Sequence, residues 1–275
     1  MYRSGGSGGW EIRSIVNKFS VFSRVGEPSK RQGELGTVIN GIGQHEVIIE
    51  SPHHNGSVAL YTESKVESLL TAYRHRFREF YSDPRIEHVI VFKNHGSDAG
   101  ASQQHPHSQI VGTPMVPGQV LERVESYRRF HSERKTCVAC DMIKVEEREG
   151  TRIVEGNDRF VAFIPYAALS PFHLWIFPRN HSVCFGNLSD RDLKSLSGIF
   201  HRVLKRFHFA LNNPAFNMVI RSLGPRDEGL PFFHWYISFI PRVNKAAGFE
   251  LGTGMYVNSA SPEKNAEFLR DFQLP

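Results

Sequence analysis

Hydrophobic positions in the first half of the chain follow a strand–helix–strand plan bounded by histidines. An apolar run typical of a strand, HEVIIESPHH (45–54), ends in histidine. The apolar residues after it lie three and four positions apart, which is the spacing of one helix face. These residues are Val66, Leu69, Leu70, Tyr73, Phe77 and Phe80. A second strand, HVIVF (88–92), then leads through a loop into SQQHPHSQI (102–110).

The same plan recurs in the second half. The run FHLWIFPRNH (172–181) again ends in histidine, and a helix is predicted to begin near Ser189, because serine commonly caps helix N-termini. Its predicted buried stripe consists of Leu193, Leu196, Phe200, Val203, Leu204 and Phe207. A strand, FNMVIRSL (216–223), and a loop then lead to PFFHWYISFIP (231–241).

The histidines that bound these units have nearly the same spacing. His54 and His105 are 51 residues apart, and His181 and His234 are 53 apart. The pattern predicts an α+β fold of two duplicated units, each with antiparallel strands packed on one long helix. We place the units at residues 1–130 and 131–275. Chance similarity between two amphipathic segments is the alternative.

Composition narrows the class of protein. The 275 residues are 40% hydrophobic and 22% charged, which is typical of a soluble globular protein. No apolar run is long enough for a membrane span, and we expect no secretory signal. A net charge of +5 suits phosphorylated small molecules. The basic run YRHRFRE (73–79) is predicted to lie on the exposed side of a helix. Since no nucleic-acid-binding motif is present, we expect no nucleic-acid partner.

The three cysteines are Cys137, Cys140 and Cys184, which is too few for a disulfide-stabilised secreted protein, so we expect a cytoplasmic one. CVAC (137–140) indicates a metal-binding or a redox pair. A redox pair should begin a helix after a buried strand, whereas this pair follows the charged segment YRRFHSERKT. With His181 and His234 it forms a Cys₂His₂ set, typical of structural zinc. Two cysteines without such a role are the alternative.

In the first unit, His54 and His105 occupy the positions of His181 and His234. No cysteine pair precedes them in this chain. A first zinc site therefore has either half its ligands or ligands from outside the sequence.

The two histidines of HPH (105–107) have different counterparts in the second unit. His105 aligns with His234, whereas His107 aligns with Tyr236. Residues two apart in a strand face the same side, so both histidines are predicted to face one pocket, with Pro106 at a strand edge or start. A neutral imidazole there is a competent nucleophile toward phosphorus. General acid–base catalysis is the alternative role for His107.

The loop FKNHGSDAGASQQ (92–104) enters this stretch. Its glycines permit close backbone approach to a ligand, and its polar groups are candidate donors to phosphate oxygens. The candidates, including one from the strand itself, are Asn94, Gly100, Ser102 and Gln109. Most Gly- and Ser-containing loops are simple connections, and the adjacent histidines are what favours a binding role here.

The segments NHGSDAGASQQHPHSQI (94–110) and GIGQHEVIIESPHH (41–54) closely resemble the galactose-1-phosphate uridylyltransferase family of the histidine-triad superfamily. The resemblance extends from IRSIVNKFS (12–20) to GFELGTGMYVN (248–258). It implies two fused histidine-triad-like repeats and a homodimer. It also implies that His107 attacks the α-phosphorus of a nucleoside-diphosphate sugar, forms a covalent nucleotidyl-histidine and releases sugar 1-phosphate. A second sugar 1-phosphate then takes the nucleotide.

The resemblance also assigns further site residues. Gln109 matches the glutamine that hydrogen-bonds the phosphoryl oxygens, and Asn17 matches a nucleoside-side position. The phosphate-contacting loop positions match Asn94, Gly100 and Ser102. Two first-repeat zinc ligands match His54 and His105, and a second-repeat zinc site matches Cys137, Cys140, His181 and His234.

Two departures leave the specific activity open. The second repeat reads HWYISFIP where bacterial-type members have H-W-x-x-H-x-H, and with AGFELGTG (247–254) it looks more like the ADP-glucose phosphorylase branch, which transfers AMP to phosphate. The missing N-terminal cysteine pair implies an N-terminally truncated chain. The main hypothesis is a UDP-glucose–hexose-1-phosphate uridylyltransferase-like enzyme of galactose metabolism. The alternatives are an ADP-glucose phosphorylase, a zinc-stabilised nucleotide-binding protein without turnover and an inactive remnant.

Overall fold

Both histidine-bounded units fold as strand–helix–strand–strand in the computed structural model, which describes residues 2–5, 9–244 and 247–275. The strands are β1 (Tyr2–Ser4), β2 (Ile12–Val16), β3 (Lys30–Gln32), β4 (Thr37–Ile39), β5 (Gln44–Ile49), β6 (His88–His95), β7 (His107–Thr113), β8 (Ile153–Gly156), β9 (Phe160–Phe163), β10 (Leu174–Pro178), β11 (Phe216–Arg221) and β12 (Tyr236–Pro241). The helices are α1 (Glu63–Tyr81), α2 (Gly118–Arg134), α3 (Val138–Glu149), α4 (Asp190–Ala210), α5 (Gly248–Thr253) and α6 (Pro262–Asp271). None of the helices in these ranges combines the length and apolar character that crossing a membrane requires.

The strands of both units join in one antiparallel sheet. Its order is β1-β2-β5-β7-β6-β11-β12-β10-β9-β8, and β3 and β4 form a separate hairpin. The units meet where β6 pairs with β11. The predicted α+β class with two repeated units is therefore confirmed. The predicted boundary after residue 130 falls inside α2 and stays a prediction.

The predicted apolar stripes pack α1 and α4 on one side of this sheet. All the stripe residues of both helices are buried in one core cluster. Burying such a side chain stabilises the fold by about 1.5–3 kcal/mol. Ser189 caps α4, as predicted, because its hydroxyl accepts a hydrogen bond from the Asp192 N–H at 3.1 Å. Thr62 caps α1 in the same way, accepting from the Lys65 N–H at 3.3 Å.

The opposite side of the sheet differs between the units. In the second unit α3 lies over the strands, and its Ile143 shares a buried cluster with Phe177 and Tyr236. In the first unit Val47 and Ile49 of β5 are only half-buried and line a cavity. One side of the first unit is therefore accessible to a ligand.

The basic run 73–79 is not uniformly exposed, so its predicted position was wrong for Arg76. This arginine is 5% exposed, and its guanidinium donates to both carboxylate oxygens of Glu46, at 2.9 and 2.8 Å. Ser14 Oγ donates to the same carboxylate at 2.7 Å. The bidentate contact between Arg76 and Glu46 compensates both charges in a place that solvent does not reach.

Candidate active site

His107 is the first residue of β7. Its Nδ1 lies 2.8 Å from the carbonyl oxygen of His105, and because a carbonyl only accepts, Nδ1 carries the proton. In the neutral ring the lone pair is therefore on Nε2, as nucleophilic attack requires. The side chain is half-buried and borders two cavities.

His105 lies in the turn before β7 rather than in the strand. It nevertheless lines the same two cavities as His107, so the predicted shared pocket is present. Because β7 pairs on both sides, with β5 and β6, Pro106 marks a strand start and not an edge. Tyr236 is likewise the first residue of β12, which agrees with its alignment to His107.

Two cavities of different character meet at His107. The apolar cavity has a volume of about 600 Å³, and its apolar lining is Ile15, Val16, Phe19, Val47 and Ile49. The polar cavity has a volume of about 520 Å³, and its lining includes Lys93, Asn94, His95, Gly96, Ser97 and Asn213. Ser102, His105 and His107 line both. The segment that carries His107 thus lies between an apolar compartment and a polar one.

Gln109 lies on the same face of β7 as His107. Its Oε1 accepts a hydrogen bond from His45 Nε2 at 2.8 Å, which leaves the amide N–H groups of Gln109 available as donors. The Asn17 side-chain amide lies 3.0 Å from His45 Nε2, and Asn17 Oδ1 accepts from the Phe19 N–H at 2.9 Å. The structure thus brings together the predicted residues Asn17 and Gln109 through His45, which the sequence did not single out.

The predicted phosphate loop contributes in different ways. Asn94 and Ser102 line the polar cavity, whereas Gly100 lines neither cavity. Gly100 has a φ of +83°, a left-handed conformation that favours glycine, and it closes the turn before Ser102. Asn94 Oδ1 accepts from Asn217 Nδ2 at 2.8 Å, and Asn217 also donates to the Ala99 carbonyl at 2.9 Å. Asn217 belongs to β11, so the second repeat orients a residue of the first repeat's pocket.

His54 and His105, the two predicted ligands of a first metal site, lie next to each other. The Nδ1 atoms of His54 and His105 are 3.3 Å apart. His105 Nε2 donates to the Ser51 carbonyl at 2.7 Å, which leaves the His105 lone pair on Nδ1. Neighbouring nitrogen ligands of a tetrahedral zinc are separated by about 3.3 Å, so the pair has suitable spacing. Over residues 2–5, 9–244 and 247–275, however, the two histidines belong to no group of three or more metal-ligand side chains.

The predicted second metal set is complete. The ligand atoms of Cys137, Cys140, His181 and His234 all lie within 4.8 Å of one another. Cys140 Sγ is 3.4 Å from His181 Nδ1 and 3.5 Å from His234 Nδ1. His181 Nε2 donates to the Leu230 carbonyl at 2.9 Å, which fixes the tautomer with a free Nδ1. The hydrogen bond from Cys140 lowers the pKa of the Cys137 thiol, which favours the thiolate that a metal binds. Two sulfurs and two imidazoles that converge in this way fit a closed tetrahedral metal site.

ADP-glucose phosphorylase of Arabidopsis thaliana is 34% identical to this chain over 269 residues, which cover 96% of this chain and 75% of the relative. This chain belongs to the family of ADP-glucose phosphorylase and the galactose-1-phosphate uridylyltransferases. The family model for the N-terminal domain of galactose-1-phosphate uridyl transferase matches residues 15–117. Galactose-1-phosphate uridylyltransferase of Thermotoga maritima is 25% identical over 240 residues, covering 84% of this chain and 75% of the relative.

The solved structures agree. The crystal structure of ADP-glucose phosphorylase from Arabidopsis thaliana with bound ADP-glucose superposes with a TM-score of 0.88 and 29% identity, covering all of this chain and 86% of that one. A uridylyltransferase structure has a TM-score of 0.87 at 22% identity, covering 95% of this chain and 84% of that one, which shows the shared fold. The named relatives are nucleotidyltransferases, which is the class of enzyme predicted from the sequence.

Two polar residues of the site were missed from the sequence. His45 stands at the start of the run HEVIIESPHH, and strand alternation places it on the face of Val47, which pairs with Gln109. This alternation was the available signal. Asn217 gave no local signal, because its contact with Asn94 depends on the pairing of β11 with β6.

Proposed function

We propose that this protein is a nucleotidyltransferase that acts on nucleoside-diphosphate sugars through a covalent nucleotidyl intermediate on His107. The observation that carries the proposal is the His105 carbonyl holding the proton on His107 Nδ1, which leaves the Nε2 lone pair between two ligand-sized cavities. Nε2 attacks the α-phosphorus, and a P–N bond forms as the P–O bond to the β-phosphoryl group breaks. Sugar 1-phosphate leaves. An acceptor phosphate oxygen then attacks the same phosphorus, and the P–N bond breaks.

The two cavities suit the two ends of such a substrate. The apolar cavity suits the nucleoside, with Asn17 at its polar end. The polar cavity suits the sugar phosphate. Gln109 lines the apolar cavity beside His107, where its amide N–H groups donate to the α-phosphoryl oxygens as negative charge develops there. Asn94 and Ser102 line the phosphate side, and Gly100 shapes the turn before Ser102.

The nucleotide and the acceptor define two candidate activities. The similarity to the ADP-glucose phosphorylase of Arabidopsis thaliana supports adenylyl transfer from ADP-glucose to phosphate. The matching N-terminal family model, over residues 15–117, supports uridylyl transfer between UDP-glucose and a hexose 1-phosphate in galactose metabolism. The greater identity to the first enzyme favours adenylyl transfer.

We also propose zinc as the metal of the Cys₂His₂ set, with Cys137, Cys140, His181 and His234 as ligands. These four residues would hold the ion between the start of α3 and the segments after β10 and before β12, where it would supply stability rather than chemistry. His54 and His105 are the proposed half of a first zinc site. A homodimer and the division into repeats at residues 1–130 and 131–275 complete the proposal.

A substrate panel tests the proposal. ADP-glucose and UDP-glucose labelled on the α-phosphorus are each incubated with the protein, and acid-labile label on His107 is trapped and located by mass spectrometry. Phosphate and galactose 1-phosphate are then added as acceptors. We expect label from ADP-glucose and its release by phosphate as ADP. The His75→Gln variant, at an exposed position on α1, is the control and should be labelled like wild type. Nucleotide binding without any label would show a binding protein and not a transferase.

A further inference from the structure

A buried charged cluster lies beneath His107, on the helix side of the sheet. Glu50, just after β5, is 0% exposed, and Lys93 of β6 is 4% exposed. Lys93 Nζ lies 2.8 Å from Glu50 Oε2. Tyr73 and Ser108, both 0% exposed, also hydrogen-bond to the Glu50 carboxylate. Both ions of a buried charge pair lose their hydration when the protein folds, so the presence of this pair requires an explanation.

The cluster holds three consecutive residues around the nucleophile. Lys93 Nζ donates to the backbone carbonyl of His107 at 3.1 Å. The Glu50 backbone N–H donates to the carbonyl of Pro106 at 3.0 Å, and Ser108 Oγ donates to the Glu50 carboxylate. The main chain at 106–108 is therefore fixed on both sides of His107. This segment sets the distance between the His105 carbonyl and His107 Nδ1.

The second repeat shows what the same fold does without this cluster. Gln109 is equivalent to Ser238, and they pair with Phe92 and Val219 respectively. The next residues, Lys93 and Ile220, are therefore equivalent, and so are Ser108 and Ile237.

Strand pairing also identifies the second-repeat equivalent of Glu50. Ile49 pairs with His107, and the pairing of Ile176 with Ile237 places Phe177 opposite Tyr236. Pro178 is therefore the equivalent of Glu50. The residues at the three positions in the second repeat, Pro178, Ile220 and Ile237, are apolar and lack any charge.

We propose that Glu50 and Lys93 are a positioning pair for the nucleotidyl transfer of the proposed function. The pair fixes the backbone so that His107 Nε2 faces the α-phosphorus. Because the second repeat forms the same strand starts with apolar residues at these positions, the charges are not needed for the fold. Their contacts converge on residues 106–108 of the repeat that carries the nucleophile. Replacing a buried ion pair by apolar groups is often neutral for stability, so stability alone does not account for the pair.

The test compares two neutralised ion pairs. The double variant Glu50→Gln/Lys93→Met removes both charges together, which avoids leaving one buried charge unpaired. The matched control is Glu46→Gln/Arg76→Met, which removes another buried pair that joins β5 to α1 and in which the Glu46 carboxylate accepts hydrogen bonds from Arg76 and Ser14. We expect kcat of the Glu50/Lys93 variant to fall about 100-fold with KM nearly unchanged, since a small misplacement of a reacting group has such an effect. The Glu46/Arg76 control should keep the wild-type kcat. Ser108→Ala, which keeps both charges, should lower kcat severalfold.

A second readout does not depend on turnover. Long-range ¹H–¹⁵N correlation of His107 reports which ring nitrogen carries the proton. We expect the Nδ1-protonated form in wild type and in the control, and a mixture of tautomers in the Glu50/Lys93 variant. An unchanged tautomer and kcat in that folded variant, or a raised KM with unchanged kcat, would overturn the proposal. Wild-type protein that transfers no nucleotide refutes the proposed function instead, and the tautomer measurement still decides the positioning role.

Discussion

The two repeats place different chemistry on equivalent strand positions. His107 and Gln109 of β7 border open cavities, whereas their equivalents in β12, Tyr236 and Ser238, are 4% and 3% exposed. The Tyr236 ring stacks on Phe177 with centroids 4.7 Å apart, beneath α3. A helix and aromatic side chains therefore fill, in the second repeat, the space that remains open for a ligand in the first.

The candidate metal-ligand side chains are more complete in the second repeat than in the first. The second repeat has a complete set of four ligands, and the described part of the first has two histidines. The open face of the first repeat therefore suits the proposed reaction, and the covered face of the second suits a stabilising role.

Replacing the equivalent residues His107 and Tyr236 should have very different effects. His107→Ala removes the nucleophile and should lower kcat by a factor on the order of 10⁶, with no covalent label. Tyr236→Phe keeps the stacking on Phe177 and should keep the wild-type kcat and one label per chain. Rates with labelled ADP-glucose and the label stoichiometry measure both. Labelled His107→Ala protein would place the nucleophile elsewhere.

Variants of the candidate metal ligands should lose different amounts of zinc in the two repeats. Cys137→Ser should lose about one zinc equivalent per chain and several kcal/mol of stability, because structural zinc binding is coupled to folding. His54→Ala should keep that equivalent. Metal analysis of the purified proteins and thermal unfolding are the measurements. Two tightly held equivalents in wild type would mean that the first pair assembles a site without the cysteines.

One hydrogen-bonded pair of polar side chains on the open face can be compared with another on the covered face. His45 donates to Gln109 in the first repeat, and His173 Nε2 lies 2.9 Å from Ser238 Oγ in the second. Gln109→Ala should lower kcat about 10²- to 10³-fold, as expected when a donor to developing negative charge is removed. Ser238→Ala should leave kcat unchanged and cost about 1 kcal/mol of stability. Steady-state kinetics and urea unfolding separate the two effects, and equal losses of kcat would contradict the division.

The covered repeat also gives the stability of the protein a pH dependence. Burial, assisted by the charge of Arg221, lowers the pKa of His173 from 6.5 to about 4. The folded state keeps this ring neutral below pH 6.5 while the unfolded chain binds a proton, so stability falls as the pH decreases from 6.5 toward 4. Between pH 7 and pH 5 the loss attributable to His173 is about 2 kcal/mol.

Urea unfolding at the two pH values, compared between wild type and His173→Gln, isolates this contribution from that of other titrating groups. The variant should lose about 2 kcal/mol less stability than wild type between pH 7 and pH 5. Equal losses in the two proteins would exclude His173 as the source.

Local patterns were sufficient to predict the elements that carry the site. The helix stripes and the Ser189 cap follow from spacing within one segment, because helix periodicity is a local property. The alignment of His107 with Tyr236 follows from comparing the two repeats. The Cys₂His₂ set was also predictable, since CVAC and the repeat-matched histidines mark all four ligands.

Contacts between distant strands were not predictable in this way. The buried positions of Lys93 and Glu50 and the reach of Asn217 to Asn94 depend on register, and a shift of one residue would turn each side chain to the other face of the sheet. Arg76 was placed wrongly for the same reason, since its partner Glu46 comes from another element. Polar residues that are buried between elements leave the weakest pattern in the amino-acid sequence.

The junction of β6 and β11 has a consequence for the origin of the chain. Phe92 pairs with Val219, its own equivalent, and the pairs Val91–Ile220 and Lys93–Met218 exchange when the repeats are exchanged. This is the pairing of a twofold-symmetric homodimer, here within one polypeptide. In such a homodimer every mutation is made twice. When both halves belong to one polypeptide, each half accumulates changes separately, and one half is free to become a covered support for the pocket of the other.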